Sequence, residues 1–317
     1  MSLAEKLREK TARAENWASQ VQEELVDFVV GGKTIFSYTG LGVVPAMINH
    51  MILRVLVQDP SYNIAPATDV ALHIAPYRET EYRILLYTYS PWERGEIARL
   101  ADALYIMGVP LKFVLAEPED PVVQEKVAEE DTVPVPRGVD PLLAQTLLAA
   151  RVGVEAAKRI TGRGDMRIKR LEEEVGDITS VVEELSKTYE DLGKRVAELV
   201  KNHDGRGVLV LSTTSMMPAA LVVARAITGL GVPAPVMNVT LGTTMMPRGA
   251  PVLIVHSSTE GDVAREAWFR ASMGGAKKIE RLEVRTDPLS APVYGVILAE
   301  LVRMELESLV KASQDSQ

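Results

Sequence analysis

Two loops in the second half of the sequence carry runs of consecutive hydroxyl residues. The runs consist of Ser212, Thr213, Thr214 and Ser215, and of Ser257, Ser258 and Thr259. Each run follows a short apolar segment and leads into a segment with helical periodicity, so both are predicted to lie between a strand and a helix. The free N–H groups at a helix start favour anions. Helix capping explains a single hydroxyl residue, but runs of this density indicate an anion-binding site.

The first half offers similar but sparser loops after its apolar segments. The candidate ligand-binding residues are Thr39, Gly40 and Gly42 in one loop, and Thr88 and Ser90 in the other. For each single hydroxyl residue, helix capping is favoured over ligand contact. The sequence leaves open whether the first half has a binding site.

Three further residues are candidates for chemistry. His256 is the one histidine in a candidate loop, where it could be a general base, a phosphate ligand, or a capping or buried imidazole. Glu260 is the best-placed carboxylate for proton transfer, although first-turn glutamates commonly serve the helix dipole. Arg248 follows Met245 and Met246 in a loop bounded by Gly and Pro, and is a candidate anion partner in a lid. No spacing of His, Asp or Glu resembles a metal site, and neither a metal nor a cofactor is expected.

A repeated pattern places these loops in two domains. Three local patterns recur in the same order: residues 39–46 with 212–219, 95–99 with 261–265, and 140–142 with 287–289. Three matches in register indicate a duplicated domain. Alternating strands and helices with short connections are typical of a parallel sheet covered on both faces. The predicted fold is α/β, with two tandem three-layer α/β/α domains at residues 1–162 and 163–317.

A heptad pattern opens the second predicted domain. Apolar residues alternate spacings of three and four from Ile168 to Leu199, which predicts one continuous helix over about 165–203. The seam either pairs two chains as a coiled coil or packs on a helix of the same chain, such as the first helix of the sequence. Both alternatives stay open. An oligomer, most simply a homodimer, is expected.

The layout of the loops resembles that of the sugar isomerase (SIS) domain. The resemblance rests on the tandem arrangement, on the strand, Gly/Ser/Thr loop and helix that begin each half, and on the second hydroxyl loop before a helix. It covers nearly the whole chain. The layout is similar to that of archaeal bifunctional phosphoglucose/phosphomannose isomerases and of the isomerase half of glucosamine-fructose-6-phosphate aminotransferase. Such domains bind phosphosugars, and a Ser-x-Ser-Gly-x-Thr loop holds the phosphate.

Both copies of this loop depart from the family motif. Segment 88–93 has Pro91 for the glycine and Glu93 for the threonine, which removes an N–H group and adds a repelling carboxylate. Segment 254–259 keeps only Thr259. The resemblance implies a phosphosugar-binding protein, with sugar-phosphate isomerisation as one hypothesis. The alternative is a non-catalytic phosphosugar sensor, or a structural or assembly protein with degenerate sites. The ligand is expected at the second half.

Composition argues against several other classes of protein. A net charge of −8 argues against a nucleic-acid surface. The chain has no cysteine, which excludes thiol catalysis and disulfides. No apolar stretch reaches membrane-spanning length and the N-terminal residues do not form a signal peptide, so a cytoplasmic location without a membrane partner is expected. Abundant Glu, Arg and Lys are typical of a thermophile.

Overall fold

The computed structural model describes residues 2–59, 61–77, 82–90, 93–116, 119–162, 165–244 and 248–314. The helices are α1 (Leu3–Val30), α2 (Val43–Leu56), α3 (Ala67–Asp69), α4 (Arg94–Met107), α5 (Pro121–Lys126), α6 (Pro141–Thr161), α7 (Met166–Gly176), α8 (Ile178–Thr188), α9 (Leu192–Lys201), α10 (Met217–Thr228), α11 (Val239–Gly242), α12 (Gly261–Met273) and α13 (Ala291–Gln314). The strands are β1 (Lys33–Tyr38), β2 (Asn63–Pro66), β3 (Tyr82–Tyr87), β4 (Leu111–Leu115), β5 (Thr132–Pro134), β6 (Leu209–Ser212), β7 (Val236–Asn238), β8 (Val252–Ser257) and β9 (Ile279–Val284).

The chain forms two compact units. One consists of Lys10–Thr179, and the other combines Met1–Glu9 with Ser180–Gln317. The sequence suggested a boundary at residues 162 and 163, which would place α7 in the second domain. In the structure α7 packs on α6, and the buried Arg151 side chain of α6 donates to the Val175 carbonyl at the end of α7. In this division α7 belongs to the unit of residues 10–179.

The unit of residues 10–179 is built on a parallel sheet with the order β2-β1-β3-β4-β5. Alternate strand residues, including Ile35, Leu86 and Phe113, form one core with the apolar stripe of α4. On the opposite face α2 and α6 pack against each other. Since side chains of a strand alternate between faces, the fully buried Phe36 and Leu85 belong to this second layer.

The second unit has a parallel sheet with the order β7-β6-β8-β9. Leu211 and Ile254 form a core with Ala264, Ala267 and Ala271 of α12. Helices α10 and α13 of this unit also pack closely against each other. The predicted α/β architecture with mainly parallel sheets is confirmed, and the first four strands of each unit have the same order.

The predicted continuous helix is wrong, because residues 166–201 form α7, α8 and α9. The first break is at Asp177, whose φ of −138° leaves the helical region. There the Glu15 carboxylate accepts hydrogen bonds from the N–H groups of Ile178 and Thr179 and so caps α8. The apolar seam is nonetheless largely buried within the chain: α7 packs on α6, and α9 packs on α13. This packing accounts for the periodicity without a second chain.

Two side chains, one just after α8 and one on α9, contact the last strand of the second sheet. The Tyr189 hydroxyl, just beyond α8, donates to the carbonyl of Glu283 at 2.7 Å. The Arg195 guanidinium of α9 donates to the carbonyl of Arg281 at 3.4 Å and pairs with Glu280. These groups satisfy main-chain carbonyls of β9.

Across the described residues, no helix has the length and apolar character needed to cross a membrane.

Candidate functional site

The strand order places the candidate loops together in each unit. The chain leaves β1 toward β2 and returns to β3 on the other side of β1, and β6, β7 and β8 follow the same path. Parallel sheets open a crevice at such a reversal, outside the carboxyl ends of the strands. The Thr39 N–H donates to the Tyr87 carbonyl, and the Thr213 N–H donates to the Val255 carbonyl. The loops after the first and central strands therefore meet in both units.

In the second unit these loops form a set of donors that surrounds one carboxylate oxygen. Glu260 Oε2 accepts hydrogen bonds from the hydroxyls of Thr213 and Ser215, both at 2.6 Å. It also accepts from the Ser257 hydroxyl at 2.7 Å and from the Ser257 N–H at 3.3 Å. We call Thr213, Ser215 and Ser257 the β6–β8 cradle. Its donors come from two loops and converge on one point that holds an anionic oxygen.

The cradle stabilises the charged form of the carboxylate. Burial raises the pKa of Glu260, but the hydrogen bonds from Ser215, Thr213 and Ser257 outweigh burial, and the pKa lies below its ordinary value. Hydrogen bonding to a carboxylate favours ionisation in this way. Glu260 is therefore an anion at neutral pH and a weaker base than a free glutamate.

The remaining hydroxyl residues of the two runs take different positions. The Ser212 hydroxyl is buried and donates to the Thr213 carbonyl. Thr214 is exposed and its hydroxyl accepts from the Asn238 amide at 3.2 Å. Ser258 and Thr259 are exposed beside the cradle, and Thr259 Oγ1 lies 3.0 Å from Ser257 Oγ. Thr214, Ser258 and Thr259 thus border the cradle without bonding to the Glu260 carboxylate.

His256 lies inside the protein, with 2% of its surface exposed. Its Nδ1 is 2.9 Å from the Ser257 carbonyl oxygen. Its Nε2 is buried and has no hydrogen-bond partner among the described residues. Among the alternatives for His256, this burial favours a buried imidazole over a general base.

The first unit has a related arrangement around Glu93. Its Oε2 accepts from the Thr39 hydroxyl and from the N–H groups of Tyr89 and Ser90, at 3.1 and 3.2 Å. We call Thr39, Tyr89 and Ser90 the β1–β3 cradle. Gly40 has a φ of +47°, and a Cβ atom there would overlap the Glu93 carboxylate. The sequence predicted that Glu93 repels an external anion, and the structure adds that its carboxylate accepts the hydrogen bonds of the loop donors.

Several candidates of the first half have structural roles. The buried Thr88 hydroxyl donates to the Val114 carbonyl and accepts from the Ala116 N–H, which joins β3 to β4. A Cβ atom at Gly42 would overlap the Tyr87 carbonyl, so this glycine permits close packing of the two loops. Pro91, which entered the motif comparison, lies outside the described residues.

The structure does not bring Arg248 to the other candidates. The Arg248 carbonyl accepts from the Arg206 side chain, and the Gly249 N–H donates to the Gly275 carbonyl. Arg206 and Gly275 precede β6 and β9, so this loop lies at the amino ends of the strands, opposite the crevice. Met245 and Met246, which completed the suggested lid, lie outside the described residues.

One signal for the carboxylates was present in the sequence. Ser90 and Glu93, and Ser257 and Glu260, have the Ser-x-x-Glu spacing of a capping box before a helix. Its occurrence at the same place in both halves could have identified the two glutamates as hydrogen-bond acceptors of the loops.

Within the described parts of the chain, no group of three or more His, Cys, Asp or Glu residues is placed to hold a metal ion.

Comparisons with known proteins find solved structures of similar fold. No family model matches the sequence, and no curated protein matches it. Among solved structures, a candidate phosphosugar isomerase from Clostridium difficile 630 is 9% identical with a TM-score of 0.74, over 96% of this chain and 93% of the other. The C-terminal domain of glucosamine-fructose-6-phosphate aminotransferase from Francisella tularensis is 14% identical with a TM-score of 0.72, over 96% and 95%.

A further solved structure has a more specific description. Tagatose-6-phosphate ketose/aldose isomerase from Escherichia coli is 10% identical with a TM-score of 0.60, over 96% of this chain and 93% of the other. These likenesses extend over nearly the full length of each chain. This chain is therefore similar in fold to phosphosugar isomerases and to the aminotransferase domain.

Proposed function

We propose that this chain is a sugar-phosphate-binding protein without isomerase activity, and that the phosphate binds at the β6–β8 cradle. The observation that carries the proposal is the convergence of four donor groups from Thr213, Ser215 and Ser257 on one anionic oxygen. Convergent hydroxyl and N–H donors at a helix start suit a phosphate monoester. The fold that the chain shares with phosphosugar isomerases supports this class of ligand.

The surroundings of the cradle suit a sugar. Thr214, Ser258 and Thr259 are exposed beside it, and hydroxyl side chains both donate and accept hydrogen bonds, as sugar hydroxyls do. In this arrangement the phosphate takes the position that Glu260 Oε2 occupies, and the sugar extends toward these three residues.

The proposal that the chain lacks isomerase activity rests on the arrangement of the two candidate bases in this structure. Aldose–ketose isomerisation needs a base that takes a proton from one carbon and delivers it to the next, with a pKa close to the working pH. The pKa of Glu260 is lowered, and its Oε2 is already surrounded by donors. His256 is buried under the loop. Neither residue meets the requirement.

Calorimetric titration tests the proposal. Glucose 6-phosphate, fructose 6-phosphate and glucosamine 6-phosphate are titrated into the protein, with glucose, fructose and glucosamine as matched ligands that lack the phosphate. We expect binding of at least one phosphorylated sugar and no binding of the free sugars. Mixtures of glucose 6-phosphate and fructose 6-phosphate, followed by NMR, should not interconvert above the rate in buffer.

Hydrogen exchange locates the ligand. With the best ligand bound, backbone amides of residues 213–216 and 257–261 should gain protection, and those of residues 39–42 should not. No heat with any sugar phosphate, or protection confined to another region, would refute the proposal. Turnover that depends on Glu260 would refute the claim that the protein is not catalytic.

A further inference from the structure

We infer that Glu93 and Glu260 compete with external phosphate for the donors of the two cradles. Each carboxylate occupies the position in its cradle that the anion of a ligand would take. This inference rests on the proposed function in that both place the phosphate of the ligand at the donors of the β6–β8 cradle. It adds that the ligand binds there only when Glu260 leaves, and that the β1–β3 cradle is a second anion-binding position closed by Glu93.

The first support is that the arrangement occurs in both units at matching places. Glu93 and Glu260 each directly precede the helix that follows the central strand, α4 or α12. Each accepts a hydroxyl hydrogen bond from the residue that follows the first strand, Thr39 or Thr213. Each also accepts a main-chain N–H from the loop after the central strand.

The second support is that helix capping does not explain the full set of donors. A capping box consists of two hydrogen bonds, from the Glu260 N–H to the Ser257 side chain and from the Ser257 N–H to the Glu260 carboxylate, and both are present. Thr213 and Ser215 lie on the other loop, next to a different strand, and have no part in capping α12. In the first unit the Glu93 carboxylate fills the space that a Cβ atom at Gly40 would occupy. The loops are shaped around the carboxylates.

The consequence for ligands follows from charge. A phosphate and a carboxylate at the same donors would repel each other and would compete for the same hydrogen bonds. The ligand's apparent affinity is therefore lower than its affinity for an open cradle, by the ratio of closed to open states. Removing the carboxylate removes this competition.

Binding of inorganic phosphate to glutamate variants tests the inference. We expect Glu260→Ala to bind phosphate at least about tenfold more tightly than the parent, since several charge-assisted donors become free. Glu260→Gln, which is neutral but still fills the cradle, should gain less. Glu266→Ala is the matched control, because Glu266 is exposed on α12, pairs with Arg270 and carries the same charge. It should leave the phosphate affinity unchanged.

Two combined variants assign the gained affinity to the cradles. Adding Thr213→Val to Glu260→Ala removes one hydroxyl donor at constant side-chain size, and should reverse most of the gain. Combining Glu93→Ala with Glu260→Ala should raise the stoichiometry from one phosphate per chain to two. Equal phosphate affinity in the parent, Glu260→Ala and Glu260→Gln would overturn the inference. If Glu260→Ala does not fold, Glu260→Gln decides, and an affinity equal to that of the parent overturns it.

The same experiment separates this inference from the proposed function. Suppose that Glu260→Ala gains phosphate affinity but binds sugar phosphates no better than phosphate itself. Then the carboxylate closes the cradle, and the sugar specificity is wrong. If instead the parent binds a sugar phosphate at the cradle as tightly as Glu260→Ala does, the proposed function holds and the role of Glu260 as an internal competitor is refuted.

Discussion

Glu260→Gln should destabilise the unit of residues 180–317 near neutral pH. The carboxylate oxygen accepts hydrogen bonds from Thr213, Ser215 and Ser257. A hydrogen bond to a charged group contributes about 1.5–3 kcal/mol, against about 0.5–1.5 kcal/mol for a neutral pair. Because the bonds share one oxygen and the group is partly exposed, their differences do not add, and we expect a total loss of about 1–2 kcal/mol.

The lowered pKa of Glu260 determines how the stability difference between the parent and Glu260→Gln changes with pH. The pKa of Glu260 in the folded protein is lower than its ordinary value of 4.5, so the ionised carboxylate stabilises the fold. This contribution is complete above the pKa of the unfolded chain and is lost as the pH falls through the lower folded pKa. The difference in unfolding free energy between parent and Glu260→Gln should therefore be constant near neutral pH and shrink below 4.5.

Urea unfolding followed by circular dichroism, repeated across this pH range, measures the difference. Glu266→Gln is the control, and its effect should stay within about 0.5 kcal/mol, as expected of an exposed pair. Identical midpoints for parent and Glu260→Gln near neutral pH would refute the reasoning. So would a difference that persists unchanged after the carboxylate is protonated, because the effect would then not arise from its charge.

Three further predictions concern residues of both units. Arg151→Leu should lower the free energy of unfolding, measured in urea, by about 3–5 kcal/mol, because it leaves the largely buried Glu15 carboxylate, 2.5 Å from the guanidinium, without its charge partner. Glu15→Gln should lower it less in the Arg151→Leu background than alone. Gly40→Ala should cost about 1–3 kcal/mol, from its positive φ and the overlap with Glu93, and less in a Glu93→Ala background. Burial raises the pKa of Glu305, so its charge opposes folding at neutral pH, and Glu305→Gln should raise the melting temperature there but not in acid.

The long strands and helices could be predicted because their patterns are strong. β3, β4, β6 and β8 contain apolar runs whose buried character is visible in the sequence. The short strands β2, β5 and β7 could not be predicted, since three or four residues with prolines or polar ends carry little periodic signal. Their positions are set by pairing with a neighbouring strand rather than by local preference.

The breaks in the heptad segment could not be predicted from the spacing of apolar residues. The turn at Asp177 keeps the apolar residues of α7 and α8 directed at the interior, so the pattern continues across it. The break is stabilised by the hydrogen bond from the Thr179 N–H of α8 to the Glu15 carboxylate, which joins residues more than a hundred and sixty positions apart. The site shows the same limit: the hydroxyl loops were identified, but the partner of Thr213 and Ser215 is the carboxylate of Glu260, which adjacency in sequence does not reveal.

The cover over β9 has a consequence for self-association. An uncovered terminal strand of a sheet is a template on which a further chain can add, which leads to aggregation. In this unit the Tyr189 hydroxyl and the Arg195 guanidinium bind carbonyls of β9 that an added strand would use. The heptad segment thus protects the edge of the sheet from strand addition, in addition to packing on other helices. A fragment that begins after α9 would retain all four strands of its sheet but lose the contacts of Tyr189 and Arg195 with β9. It should therefore form oligomers by adding strands at β9, whereas the full chain should not add strands there.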